Sequence, residues 1–186
     1  MIGLLRAIRA RLTSGSAQQP AGPPPLSGAE TAEAEAQLGV TFPQEYRRYL
    51  LEVSAGGAVA RLARTDGVWW WADSGDTRRD LLALPFPHPD SYDEADDALL
   101  RREPRAEDRP DDGEAFSRAW TAWDDEAGEF EDRKTAGAIV LKEHGCGFAT
   151  LLAVTGPLAG TVWWDGRATC DLIVSLSPDH AAAHGP

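Results

Sequence analysis

Between residues 138 and 174 the chain is cut into four short apolar runs, Ala138–Leu141, Phe148–Val154, Thr161–Trp164 and Leu172–Val174. The breaks are His144-Gly145-Cys146-Gly147, Thr155-Gly156-Pro157-Leu158-Ala159-Gly160 and Asp165-Gly166-Arg167. Each carries a glycine, which supplies the positive φ that tight connections need, so the segment reads as a meander of β-strands. Val68–Trp71, entered from the turn Asp66-Gly67, reads as a further strand.

Helices precede the meander. Ser27 stands three residues before Glu30, the spacing of a capping box, and the alanine- and glutamate-rich stretch after it predicts a helix ending near Gly39. A second helix follows within Thr41–Val53. Pro43 fits its first position, Thr41 or Phe42 its cap, and Gly56-Gly57 its stop. Tyr46, Leu50 and Val53, with Tyr49 beside them, form one apolar face suited to covering a sheet.

The ends differ in character. Leu4, Ile8 and Leu12 recur at helical spacing with Arg6, Arg9 and Arg11 between them, which predicts a short basic amphipathic helix over residues 1–12. The arginines interrupt the apolar core that a secretory signal requires, so the expected role is docking on the domain or on a partner. Residues 13–28 are rich in Pro, Gly and Ser and read as a solvated linker. Residues 29–178 then form one domain, and 179–186 a tail. No apolar run approaches the roughly 18 residues of a membrane span. Two cysteines, Cys146 and Cys170, do not make a disulfide framework, and the compartment expected is the cytoplasm.

Charge separates the chain into two parts. The formal net charge is −12, and residues 90–132 hold seventeen acids against five arginines, so this one stretch contains the whole imbalance. Direct nucleic-acid binding and an anionic membrane surface are both disfavoured, because each needs clustered positive charge. Leu84–Pro89 is too proline-rich for a central strand. Asp90–Asp112 reads as exposed loop or short helix, and Glu114–Trp123 as a helix, since Phe116, Trp120 and Trp123 fall at i, i+4 and i+7.

An acidic run is commonly a solvated face, but it also suits a basic partner. On the second reading the partner-binding residues are Asp93, Glu94, Asp96, Asp97, Asp111, Asp112, Asp124 and Asp125, with Trp120 and Trp123 as aromatic anchors. Strand alternation places neighbours in Trp69-Trp70-Trp71 and Trp163-Trp164 on opposite faces, so most of the seven tryptophans are expected in the core.

Enzymatic patterns are thin. His144, Cys146, Cys170, His180 and His184 match none of the usual zinc spacings. Cys146 and His144 alternate within one turn, which rarely orients a base against a thiol. Asp96-Asp97 and Asp111-Asp112 lack calcium-loop spacing, and Thr155–Gly160 lacks the lysine of a phosphate loop. No catalytic residue, cofactor site or metal ligand is assigned.

Two blocks resemble a known family. Leu38-Gly39-Val40-Thr41-Phe42-Pro43-Gln44-Glu45-Tyr46, followed by Gly56-Gly57, is similar to the opening signature of the SMI1/KNR4 proteins of the SUKH superfamily. His144–Pro157, continued by Gly160-Thr161-Val162-Trp163 and Asp165-Gly166-Arg167, resembles the second. The resemblance implies an α+β domain, helices packed on a mostly antiparallel sheet, and no catalysis. It also implies a bacterial immunity protein that binds and neutralises a cognate toxin. For the acidic surface here, a basic nuclease is the toxin expected. A general interaction or regulatory module of the same fold is the alternative, and a metal-dependent hydrolase on the acidic cluster a third. The chain departs from the family after Leu176, where a helix ending in a Trp-containing pattern is replaced by an Ala/His/Gly/Pro tail.

Overall fold

A computed structural model describes residues 22–72, 74, 77–108 and 113–177. The predicted helix over residues 1–12 and the tail at 179–186 lie outside these residues.

The first helix, α1 (Gly28–Leu38), begins at a complete capping box: Glu30 N–H donates to the Ser27 hydroxyl, and the Glu30 carboxylate accepts from Ser27 N–H at 2.8 Å. Those bonds to Ser27 hold the Glu30 pKa below the usual glutamate value. Gly39, at φ 70°, ends the helix in the left-handed region. The second helix, α2 (Gln44–Glu52), starts differently from expectation. Pro43 is its N-cap and makes no side-chain cap bond, and Glu35 of α1 reaches across to accept from Phe42 N–H at 2.8 Å. The helix also stops at Glu52, well before Gly56, so Val53 falls outside it and is 49% exposed. Tyr46, Tyr49 and Leu50 are the buried face.

A hairpin of β1 (Leu62–Thr65) and β2 (Val68–Trp71) comes next, with Leu62 opposite Trp71. The Gln37 side chain ties it to α1, donating to Gly67 O at 2.8 Å and accepting from Trp69 N–H at 2.7 Å. Within the acidic segment lie α3 (Asp93–Leu100) and α4 (Gly113–Arg133), preceded by short 3₁₀ turns at Pro89–Ser91 and Ala106–Asp108. The C-terminal third is the predicted meander, β3 (Ala138–Gly145), β4 (Phe148–Ala153), β5 (Val162–Asp165) and β6 (Ile173–Ser175), broken before β6 by one helical turn, α5 (Arg167–Cys170). The sheet order is β3-β4-β5-β6 and every pairing is antiparallel. The chain is therefore α+β, with helices packed on antiparallel sheets.

Alternation along the meander gives two apolar faces. Ile139, Leu141, Leu152 and Val154 pack with Leu38, Tyr46, Leu50, Leu62, Trp69 and Trp71. Ala138, Val140, Leu151, Ala153, Trp163 and Ile173 pack with Phe86 on the other. Trp71 Nε1 donates to the Tyr46 hydroxyl at 2.8 Å inside the first cluster, where burial pushes the Tyr46 phenol far above its ordinary pKa. Residues 22–27, expected as solvated linker, belong to the domain. Leu26 N–H donates to Leu50 O, Ala55 N–H to Pro24 O and the Ser54 hydroxyl to Pro23 O, and Leu26 packs against the first cluster.

Candidate partner-binding face

The acidic segment folds as a pair of surface helices whose inner contacts are specific. Tyr92, at the start of α3, meets the Phe130 ring edge-on at 6.3 Å. The Leu99 carbonyl accepts from Trp123 Nε1 at 3.0 Å. Residues rising along α3 thus meet residues falling along α4, so the helices run antiparallel. Arg102 closes the pair, donating from both terminal nitrogens to Glu126 at 2.9 and 2.7 Å, and this contact holds the Glu126 carboxyl below the usual glutamate range.

Lys134 follows the last residue of α4, its side chain only 6% exposed. Its ammonium donates to Asp96 at 3.0 Å and Glu131 at 2.5 Å and sits over the Tyr92 and Phe130 rings. Glu131 also accepts from Arg167 at 3.1 Å, and Asp165 grips the same guanidinium with both oxygens, at 2.9 and 2.7 Å. Burial alone would lower the Arg167 pKa, but the hydrogen bonds and charges of Asp165 and Glu131 outweigh it and raise the value. Burial also pushes the Tyr92 phenol up. The chain Asp96–Lys134–Glu131–Arg167–Asp165 fastens the helix pair to the end of β5.

These contacts sort the sequence candidates. Asp96 and Trp123, read as partner-binding, turn inward: Asp96 neutralises Lys134, and Trp123 is half-buried with its N–H engaged. The reason is non-local, since Lys134 lies just past the end of α4 and the Leu99 carbonyl on α3, each far along the chain from its partner. Asp93, Glu94 and Asp97 remain exposed on α3, where Asp93, Asp97 and Leu100 fall at i, i+4 and i+7. On α4, Trp120 and Asp124 fall at i and i+4, whereas Asp125 is exposed about 140° further round the helix. Among the described residues none of Asp93, Glu94, Asp97, Asp124 and Asp125 forms an ion pair. Asp111 and Asp112 lie outside the described residues.

Aromatic surface accompanies the acids. Phe116, Trp120 and Trp123 run along α4 with ring centroids 6.3 and 5.4 Å apart, and Trp120 is 38% exposed. No residue of the 21-residue helix is buried. Leu100, 56% exposed, adjoins the junction where Trp123 meets Leu99.

A concavity not expected from the sequence lies on the second-cluster side of the sheet, beside the C-terminal end of α4. Ala138, Val140, Ala149 and Leu151 floor a cavity of about 440 Å³, and Arg78, Glu131, Asp132, Asp165 and Arg167 rim it. The small residues at alternate strand positions are the signal that could have found it. Both arginines are engaged by carboxylates, Arg78 by Asp80 and Asp132, and Arg167 by Asp165 and Glu131. Cys146 lies exposed in the β3–β4 turn and Cys170 exposed at the end of α5. Among the described residues no group of three or more His, Cys, Asp or Glu is placed to hold a metal ion.

The fold defines an α+β protein with a four-stranded antiparallel meander and a surface helix pair carrying the acidic segment. No family model matches the chain, and no curated protein or solved structure matches it. The first block spans the end of α1 to the start of α2, and the second spans β4 and the turns around it, so the two meet across the first cluster.

Proposed function

We propose that this is a non-catalytic, cytoplasmic immunity protein of the SUKH type, which neutralises a toxin by binding it through the exposed face of α3 and α4. The observation that carries the reading is the half-exposed aromatic row of α4 set among unpaired acids. Trp120 and Leu100 supply apolar anchors, and Asp93, Glu94, Asp97 and Asp124 supply the field. A toxin nuclease holds a polyphosphate and so presents a basic cleft, to which this face is complementary. Asp125, on another side of α4, contributes to the long-range field.

The test is co-expression with any toxin domain found encoded beside this chain's gene. Rescue of growth by the wild type and its loss with Trp120→Ala, in a protein that still folds, support the reading. Rescue by Trp120→Ala equal to wild type overturns the assignment of this face. Absence of any rescue leaves the general interaction module as the better description.

A further inference from the structure

Apart from the acidic face, the cavity on the second-cluster side of the sheet has the composition of a binding site. At about 440 Å³ it falls within the size range of ligand pockets. Its floor is apolar, with Ala138 and Val140 at alternate positions of β3 and Ala149 and Leu151 at alternate positions of β4. Its rim is charged, and the charges do not balance. The ion pairs that run through the rim join five carboxylates, those of Asp80, Asp96, Glu131, Asp132 and Asp165, to three cations, Arg78, Lys134 and Arg167. Two negative charges are in excess. Asp132 gives Arg78 one oxygen, and its other oxygen has no partner among the described residues. An anionic ligand would have to strip carboxylates from both guanidiniums, whereas a cation meets a field already in place.

We propose that this cavity receives one long basic side chain, arginine or lysine, of the protein bound through α3 and α4. The proposal rests on that docking and adds a second anchor to it. The aliphatic stem lies over Ala138, Val140 and Ala149, and the cationic head reaches Asp132 and Glu131. Long basic side chains bury their methylenes against apolar surface and keep the charge at a polar edge, which is the layout of this floor and rim. Position on the helix favours a side chain of that partner over a free molecule. Trp120, Ala127 and Glu131 fall along one stripe of α4, at i, i+7 and i+11, so the exposed aromatic anchor and the cavity rim share a face about 16 Å long. One basic surface can span both. The exposed acids of α3 and α4 attract any cation, and the cavity adds a demand for shape.

The chemistry and the source of the cation are tested separately. For the chemistry, the methyl resonances of Ala138, Val140, Ala149 and Leu151 are followed in the full chain alone as n-butylguanidinium is added, with n-butanol and butyrate as controls. Expected are saturable shifts with the guanidinium, binding of n-butanol weaker by about tenfold, and no shifts with butyrate. Asp132→Asn is expected to weaken the guanidinium by about threefold with an unchanged thermal melt, since the Asp132 side chain is half exposed. No saturation by the guanidinium, or equal binding of n-butanol, overturns the proposal. For the source, the titration is repeated on the complex with a toxin that the wild type neutralises. Loss of the shifts in the complex supports the proposal, and undisturbed shifts overturn it by making the cavity a site for a free cation. A protein that takes the guanidinium but neutralises no toxin likewise overturns the side-chain source, which separates failure of the docking from failure of the cavity chemistry.

Discussion

Single residues divide the acidic segment into acids that hold it together and acids that face outward. Asp96 and Asp97 are neighbours in sequence with opposite tasks, because one meets Lys134 and the other meets solvent. Asp97→Asn is expected to slow association with a basic toxin while leaving the unfolding free energy from urea melts within about 0.5 kcal/mol of wild type. Asp96→Asn is expected to lower the midpoint and leave the association rate unchanged; rate measurements at two salt concentrations beside urea melts check both. Lys134→Ala removes the shared cation and leaves Asp96 and Glu131 facing each other. Its expected cost is about 2 kcal/mol, read as a lower urea midpoint at constant slope, with Lys134→Met milder because it retains the packing on Tyr92 and Phe130.

At the level of elements, the joints between helices and sheet depend on a few positions. Gly137, at φ 65°, precedes β3, and a Cβ there would collide with the Leu84 carbonyl and come within 2.7 Å of Phe86 N. Gly137→Ala is therefore expected to destabilise by about 3 kcal/mol or more, measurable by thermal melting. The Arg102–Glu126 contact responds to pH in a defined direction. The folded state lowers the Glu126 pKa from about 4.5, so its contribution is present above that value and disappears as pH falls through the lowered one. Glu126→Gln should thus melt slightly below wild type at pH 7 and together with it in strong acid, a small effect because the pair is exposed. The same joints explain what the sequence conveyed. Periodicity and capping residues located α1, α2, β2 and the four-strand meander, since those signals are local. The strand β1 escaped notice because Leu62–Thr65 carries only one buried side chain and takes its identity from pairing with β2. The helix α4 runs ten residues past Trp123 through acids, where Arg133 pairing with Glu129 supports it at i, i+4. The inward turn of Asp96 and Trp123 depends on partners 38 and 24 residues away respectively, beyond the reach of any local pattern.

For the whole molecule, the imbalance of charge sets opposing responses to salt. Screening relieves self-repulsion within the acidic segment but also weakens the field that draws a basic partner. Between low and high ionic strength the melting temperature is expected to rise while association with the toxin slows. A rate indifferent to salt would contradict the electrostatic part of the proposed function. The order of elements has a further consequence during synthesis. The strands that cover Tyr46, Leu50 and Trp71 lie some seventy to a hundred residues downstream. At about 5–20 residues per second those apolar faces leave the ribosome roughly 5–20 s before their sheet exists. The meander itself pairs only successive strands and can close quickly once made. The newly made N-terminal half is thus the stage at which this chain most needs a chaperone.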